Sequence, residues 1–205
     1  MPVGDDVVDL RHPQCQPDAI HSRFDSRVFL ASERMILANA GSIHRMRWSL
    51  WAAKESAYKA ARQLDRTLRF IPAEFEVRLD GDRAEVMHRT GQFRVWFDHS
   101  DSWVHAVAGR TGPRPEFRVG GDVHATIDLG EQDAGDRVRK LACSAMSTAL
   151  NCSVEDVRIV SVDRIPHLEM RGEPVPFAIS MSHDGRFVSC AWAREKGTDL
   201  FTQRK

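Results

Sequence analysis

Four cysteines in 205 residues, Cys15, Cys143, Cys152 and Cys190, form no CxxC pair and no zinc-ligand spacing, which argues against a disulfide framework or a cysteine metal site. They read as reduced thiols in a cytoplasmic protein. Long apolar runs are missing too, and none approaches the roughly 20 residues that span a bilayer. The first ten residues carry Asp5, Asp6 and Asp9, where a secretory signal needs basic residues followed by an apolar stretch. No export is expected. Nor does either charge dominate. Twenty-nine Lys and Arg balance 29 Asp and Glu, so no global field draws the chain to nucleic acid or anionic lipid, and any phosphate-binding surface must be local.

What is present is an ordinary globular composition, 42% hydrophobic and 8% aromatic, which predicts a packed core. Val3 to Leu10 (VGDDVVDL) reads as a short strand with acids at its ends. Ile20 to Ala40 predicts one or two short helices, with Ser32-Glu-Arg as a start. Ser42 to Leu64 is the strongest helix in the chain, free of Gly and Pro. Leu50, Ala53, Ala57, Ala61 and Leu64 make a narrow stripe suited to close packing on a sheet. Strands follow at Glu74 to Leu79, Arg83 to His88, Phe93 to Asp98 and Trp103 to Ala108, an antiparallel meander.

Gly109 to Pro115 (GRTGPRP) is the candidate linker. Beyond it the order repeats: a strand region from Phe117 to Leu129, a helix from Asp133 to Leu150, and strands at Val157 to Val162, Phe177 to Met181 and Arg186 to Ala193. The stretch Phe97 to Ala108 aligns with Met181 to Trp192, which points to an ancient duplication. The expected fold is α+β, a pseudo-dimer of two similar lobes, each a small antiparallel sheet packed with a long helix. The lobes are expected at residues 1–112 and 113–193, with a polar, frayed tail from 194 to 205.

In WSLWAAKESAYKA, Trp51, Glu55, Lys59 and Arg62 share one helix face opposite the apolar stripe, with Lys54 at the boundary. A Glu55–Lys59 pair alone is commonly a solvated i to i+4 pair worth about 0.2–0.5 kcal/mol. Asp6, a second carboxylate on a separate element, changes that balance, because two carboxylates from different elements can hold one Mg²⁺ and leave positions for water and phosphate. Asp5 and Asp9 flank Asp6, but strand alternation turns immediate neighbours to the other face. His99, His105 and His167 read as structural or exposed histidines, and Trp48 and Trp51 as packing residues.

The pairing of VGDDVVDL with WAAKESAYKA resembles the two signatures of the 4'-phosphopantetheinyl transferase superfamily, a glycine-x-aspartate strand and a W-x-x-K-E-[SA]-x-x-K-[AG] helix. Ser180-Met-Ser-His-Asp-Gly-Arg-Phe187 resembles the family's serine-histidine element, and Arg171-Gly-Glu-Pro174 its G-[KR]-P loop, with glutamate in place of the usual base. The motif order is that of the small holo-acyl-carrier-protein synthase type, whereas the duplicated length resembles the larger transferases, which order the motifs differently. Some larger members carry a third acid where this chain has Val8.

The resemblance implies transfer of the 4'-phosphopantetheine arm of coenzyme A to a serine of an acyl or peptidyl carrier protein. Asp6 and Glu55 would coordinate Mg²⁺, and Glu55 is also a candidate general base. Lys54 and Lys59 would contact the pyrophosphate; Ser182 and His183 would hold the 3'-phosphate and adenosine end, and Arg171 would border the adenine pocket. No redox cofactor, nucleic acid or membrane partner is expected, and the duplicated chain is expected to be a monomer. Two rival readings are a non-catalytic coenzyme A or carrier-binding module and a metal-dependent phosphohydrolase.

Overall fold

The computed structural model describes residues 1–110, 116–121 and 131–194. The first lobe runs β1 (Val3–Asp9), short helices α1 (Phe24–Val28) and α2 (Ala31–Ala38), long helix α3 (Ile43–Leu64), then β2 (Glu76–Asp80), β3 (Arg83–His88), β4 (Gly91–His99) and β5 (Trp103–Gly109). The second runs β6 (Glu116–Gly121), α4 (Glu131–Leu150), β7 (Val157–Val162), β8 (Ile165–Met170), β9 (Glu173–Asp184) and β10 (Phe187–Arg194). Two five-stranded sheets result, ordered β1-β5-β4-β3-β2 and β6-β10-β9-β8-β7, with antiparallel pairing. Each strand of the first has its counterpart five numbers later, and the aligned segments Phe97 to Ala108 and Met181 to Trp192 fall on β4–β5 and β9–β10. The fold is the two-lobed α+β pseudo-dimer that the repeated pattern predicts.

Several boundaries differ from expectation. Helix α2 starts at Ala31, one residue before Ser32, because Glu33 reaches back to accept the Leu30 N–H at 2.7 Å. Strand β8 is absent from the sequence expectation: Pro166 lies inside it and the turn before it, Asp163-Arg164, lacks the usual glycine or asparagine. Arg194 closes β10 and does not begin the tail. Residues 195–205, most of the expected linker, the 112/113 boundary and the stretch 122–129 of the expected strand region lie outside the described residues. No helix among the described residues is long and apolar enough to cross a membrane.

Helix α3 forms where its composition predicts. Ser42 caps it by accepting the Arg45 N–H at 3.3 Å, and Leu50, Ala53, Ala57 and Ala61 are fully buried against the first sheet. Leu64, the last member of the stripe and the last residue of the helix, is 44% exposed. Phe75, Phe93, Val86 and Val95 complete this core, while Met146, Ile159, Leu168 and Ile179 build that of the second lobe. The alanine stripe lets β1 approach unusually close. A Cβ on Gly4 would stand 1.9 Å from the Ser56 carbonyl oxygen and 2.7 Å from the Ala60 nitrogen, so glycine is required there by helix-on-strand contact.

The lobes meet along β1. Its even residues face α3, whereas its odd residues face β10: Val3 packs with Ala191 and Ala193, Asp5 accepts a hydrogen bond from the Ser189 hydroxyl, and Asp9 takes the Arg186 guanidinium at 2.6 and 2.8 Å. The odd N–H groups point away from β5 and end on side chains instead. Val3 donates to Gln63 Oε1 at 3.0 Å, Asp5 to Ser180 Oγ at 3.0 Å, Val7 to Ser182 Oγ at 3.4 Å and Asp9 to Asp184 Oδ2 at 2.8 Å. Strand β9 thus runs beside β1, in step with it, without a backbone ladder.

Gly4→Ala forces a methyl group into backbone atoms that cannot move independently, and it is expected to cost about 3 kcal/mol in urea unfolding; a loss within experimental error would disprove the close-approach argument. Burial raises the Asp9 pKa, but the Arg186 fork and the N–H groups of Arg11 and Arg186 outweigh it and hold the carboxyl below its ordinary value. Its stabilisation is therefore complete above the unfolded pKa of about 3.9 and disappears as pH falls through the lower folded value. Asp9→Asn should remove about 1.5–3 kcal/mol at neutral pH and flatten the acid limb of the stability curve. An unchanged acid limb would rule out that linkage.

Candidate active site

Period-two alternation gives the adjacent acids of β1 separate surroundings. Asp5 is fully buried at the lobe junction, with Ser189 on Oδ2 and His105 Nε2 at 3.4 Å. Asp6 faces α3, where its Oδ1 accepts from Lys59 Nζ at 2.9 Å and from Ser182 Oγ at 2.9 Å. Lys59 also donates to the Asp5 carbonyl at 2.8 Å. Its ion pair is with Asp6, across two elements, and Glu55, one turn earlier on α3, has no ion-pair partner among the described residues. The helix packing that requires Gly4 therefore also sets the separation between Asp6 and the Glu55–Lys59 face.

These side chains line a cleft of about 500 Å³ between the lobes. Asp6, Val7 and Val8 of β1, Trp51, Glu55 and Lys59 of α3, and Met181, Ser182, His183 and Asp184 of β9 contribute, with His12, Gln14, Cys15, Phe24 and Trp48 on the remaining wall. Phe24 packs on Trp48 and Trp51 with ring centroids 5.7 and 5.6 Å apart, and Trp48 Nε1 donates to the Cys15 carbonyl at 3.1 Å. The aromatic wall is therefore a packed cluster with one indole tied to the backbone. All four cysteines are free thiols, and burial pushes that of Cys15 up to about 12, which leaves it unreactive at neutral pH.

The electrostatics favour a bound cation. Burial, followed by the charge of Asp6, pushes Glu55 up to about 7, against the lowering influence of Lys59. Burial also raises Asp6, and Lys59 and Ser182 only partly oppose it. Two carboxylates crowd a desolvated corner that a single ammonium does not neutralise. Hard oxygen donors of this kind suit Mg²⁺, which takes one or two carboxylates and fills its other positions with water and phosphate oxygens. Among the described residues no group of three or more His, Cys, Asp or Glu side chains is placed to hold a metal. Asp6 and Glu55 would thus be a two-carboxylate set.

Three expected contacts are corrected. Lys54 does not reach the cleft: its side chain is fully buried, 2.7 Å from Glu33 Oε1, and it donates to the carbonyls of Pro72 (3.0 Å) and Phe75. Its boundary position on the wheel turns it into the protein, where burial lowers its pKa in spite of Glu33. Arg171 sits at the exposed β8–β9 turn, paired with Asp156 at 3.1 Å, and roughly 30 Å of strand separates it from Ser182. Ser182 lines the cleft, but its hydroxyl is engaged by Asp6 and Val7, so it orients Asp6 and does not present a free donor to a nucleotide. His183 remains exposed at the cleft wall. His99, its duplicate, lines a different groove with Gly41 and Asp82.

Asp184, His12 and Gln14 were not singled out from the sequence. Asp184 had a signal, since it follows Ser182-His183 with strand spacing to Ser180 and Ser182; His12 and Gln14 lie in an irregular stretch with none. Glu33 was also missed, although a buried lysine demands a partner.

A family model described as the 4'-phosphopantetheinyl transferase superfamily matches residues 2–108, more than half of the 205 residues. The chain belongs to that superfamily of transferases. The match ends on β5, so it covers Asp6, Glu55 and Lys59 but not β9. Among solved structures, that of holo-[acyl-carrier-protein] synthase from Thermotoga maritima is similar at 19% identity, over 60% of this chain and 70% of that one, with a TM-score of 0.42. No curated protein matches.

Lys54→Ala would leave Glu33 buried without its cation and is expected to lower stability by about 3–5 kcal/mol. A Lys54→Ala variant with wild-type thermal and urea stability would contradict its placement as an internal tether.

Proposed function

We propose that this chain transfers the 4'-phosphopantetheine arm of coenzyme A to a serine of an acyl or peptidyl carrier protein, as holo-[acyl-carrier-protein] synthases do, with Mg²⁺ and with release of adenosine 3',5'-bisphosphate. The observation that supports this reading most is convergence: Asp6, Glu55, Lys59 and His183, from three elements and both lobes, line one cleft. Membership in the superfamily supplies the reaction class.

Asp6 and Glu55 are the residues that would hold Mg²⁺. Bound there, the ion would neutralise the pyrophosphate and the charge that builds as the anhydride breaks. Ser182 and Lys59 keep Asp6 in place by their contacts with Oδ1. The third N–H of Lys59 is available to a phosphate oxygen. The carrier serine attacks the phosphorus that bears the pantetheine arm. A new ester bond forms as the anhydride P–O bond breaks, and the electron pair leaves on adenosine bisphosphate. Glu55 takes the serine proton, directly or through water. His183 borders the nucleotide.

Glu55→Gln removes a charge without altering shape. It is expected to abolish carrier-dependent release of adenosine bisphosphate, with a drop of roughly 100-fold or more, while leaving the folded state intact by circular dichroism. EDTA should do the same to the wild type. Wild-type turnover by Glu55→Gln would eliminate both roles given to this carboxylate, and coenzyme A breakdown without any carrier would favour hydrolysis over transfer.

A further inference from the structure

Strand β9 meets the open edge of β1 with side chains at alternate places: Ser180, Ser182 and Asp184 each accept one N–H, from Asp5, Val7 and Asp9. A hydroxyl serves at the first two. At the third, Asp184 Oδ2 takes the Asp9 N–H at 2.8 Å, a task that serine or asparagine performs without a charge to desolvate. What the aspartate adds is a carboxylate on the wall of the cleft, which it shares with Asp6, Glu55 and Lys59.

Among the described residues that carboxylate forms no ion pair, and its Oδ1 accepts no hydrogen bond. Arg186, two residues on, is committed to Asp9 at 2.6 and 2.8 Å, and the Lys59 ammonium to Asp6 at 2.9 Å. Burial raises the Asp184 pKa; the Asp9 N–H and the His12 ring oppose that, and the charges of Asp6 and Asp9 add to it. The cleft thus holds three carboxylates against one ammonium, a deficit that suits a divalent cation. Spacing decides how Asp184 can serve it. Ser182 Oγ donates to Asp6 Oδ1 at 2.9 Å, and Asp184 stands one strand repeat further along β9, about 6.7 Å. That is too far for Asp184 to ligate directly an ion held by Asp6, in keeping with the lack of a three-ligand group among the described residues. It is within the reach of a contact through one metal-bound water.

We propose that Asp184 is an outer-sphere carboxylate of the Mg²⁺ site, accepting a hydrogen bond from a water on the ion held by Asp6 and Glu55. The assignment rests on the transferase reading above, which puts the ion there. Asp184 does not touch the metal; it orients one of the waters and completes the balance of charge. Such a contact favours an ion that keeps its water, as Mg²⁺ does, over one that sheds it readily. It also makes the second lobe part of the metal site, because β9 carries Asp184 while β1 and α3 carry Asp6 and Glu55.

Calorimetric titration of Mg²⁺ into the full chain, with coenzyme A present and no carrier, reads the metal without turnover. Asp184→Asn and Asp184→Ser both keep an acceptor for the Asp9 N–H, so both should melt no lower than wild type. Both should bind Mg²⁺ roughly tenfold or more weakly, the loss typical of an outer-shell partner. Without Mg²⁺, coenzyme A should bind them at least as well as it binds wild type, because a negative charge has left the cleft. A folded variant with wild-type Mg²⁺ affinity sinks the inference and leaves the transferase reading standing, provided that Asp6→Asn loses the ion. If neither variant folds, the charge serves the lobe junction and the inference fails as well. A wild type that binds no Mg²⁺ would overturn the Asp6 and Glu55 assignment and the role of Asp184 together.

Discussion

The outer edge of β1 has four N–H groups, at Val3, Asp5, Val7 and Asp9, that no strand pairs. Left buried and unmatched, each would cost about 1–3 kcal/mol, and left open the edge would invite another chain. Gln63, Ser180, Ser182 and Asp184 take them one by one. That solution positions the second lobe, because three of the four acceptors sit at alternate places on β9 and can be met only in one register. A slip of one residue would turn Ser180, Ser182 and Asp184 away from β1. The same strand then carries His183 to the cleft, and Ser182 spends its hydroxyl on both the Val7 N–H and Asp6. Edge closure and site assembly are one arrangement.

Packing on the other face of β1 is equally restrictive. Gly4 allows the backbone of α3 to touch the strand, which places Glu55 and Lys59 opposite Asp6. Helix α3 is held in turn by Lys54, whose ammonium ties the helix to Glu33 and to the chain around Pro72 and Phe75. The consecutive lysine and glutamate of the helix motif therefore have opposite duties: Lys54 faces inward as a tether and Glu55 faces the cleft. On β1, Asp5 and Asp6 also divide, Asp5 toward the lobe junction and Asp6 toward the cleft. In the helix pair the inward charge is matched by Glu33, whereas the charge facing the cleft is left undercompensated, which suits a surface that receives a cation and phosphates.

Much of this was legible in the sequence. Alternation separated Asp5 from Asp6, helical spacing put Glu55 and Lys59 on one face, and the repeated order of elements, with the alignment of Phe97 to Ala108 on Met181 to Trp192, pointed to the duplicated architecture. The failures are specific. Lys54 was assigned to the chemistry through its place in the family's helix motif, and its position on the boundary of the helical wheel, where a rotation of a few tens of degrees decides between core and solvent, did not contradict that. Arg171 was assigned through the resemblance of Arg171-Gly-Glu-Pro174 to the family's G-[KR]-P loop, and the extended strand β9 carries that loop far from Ser182. Strand β8 was missed because its hairpin uses Asp163-Arg164, a turn against local preference, and such violations tend to mark positions retained for function. The irregular segment carrying His12 and Gln14 has no periodicity from which to place a side chain.

The central claim is that the cleft between Asp6, Glu55, Lys59 and His183 modifies a carrier serine. Intact-mass spectrometry of a panel of apo acyl and peptidyl carrier proteins, incubated with the protein, coenzyme A and Mg²⁺ beside an EDTA control, tests it most directly. The account predicts that at least one carrier gains a single phosphopantetheine group, only when Mg²⁺ is present and only when its serine is intact. Unmodified carriers throughout, from a protein that still binds coenzyme A, would contradict it.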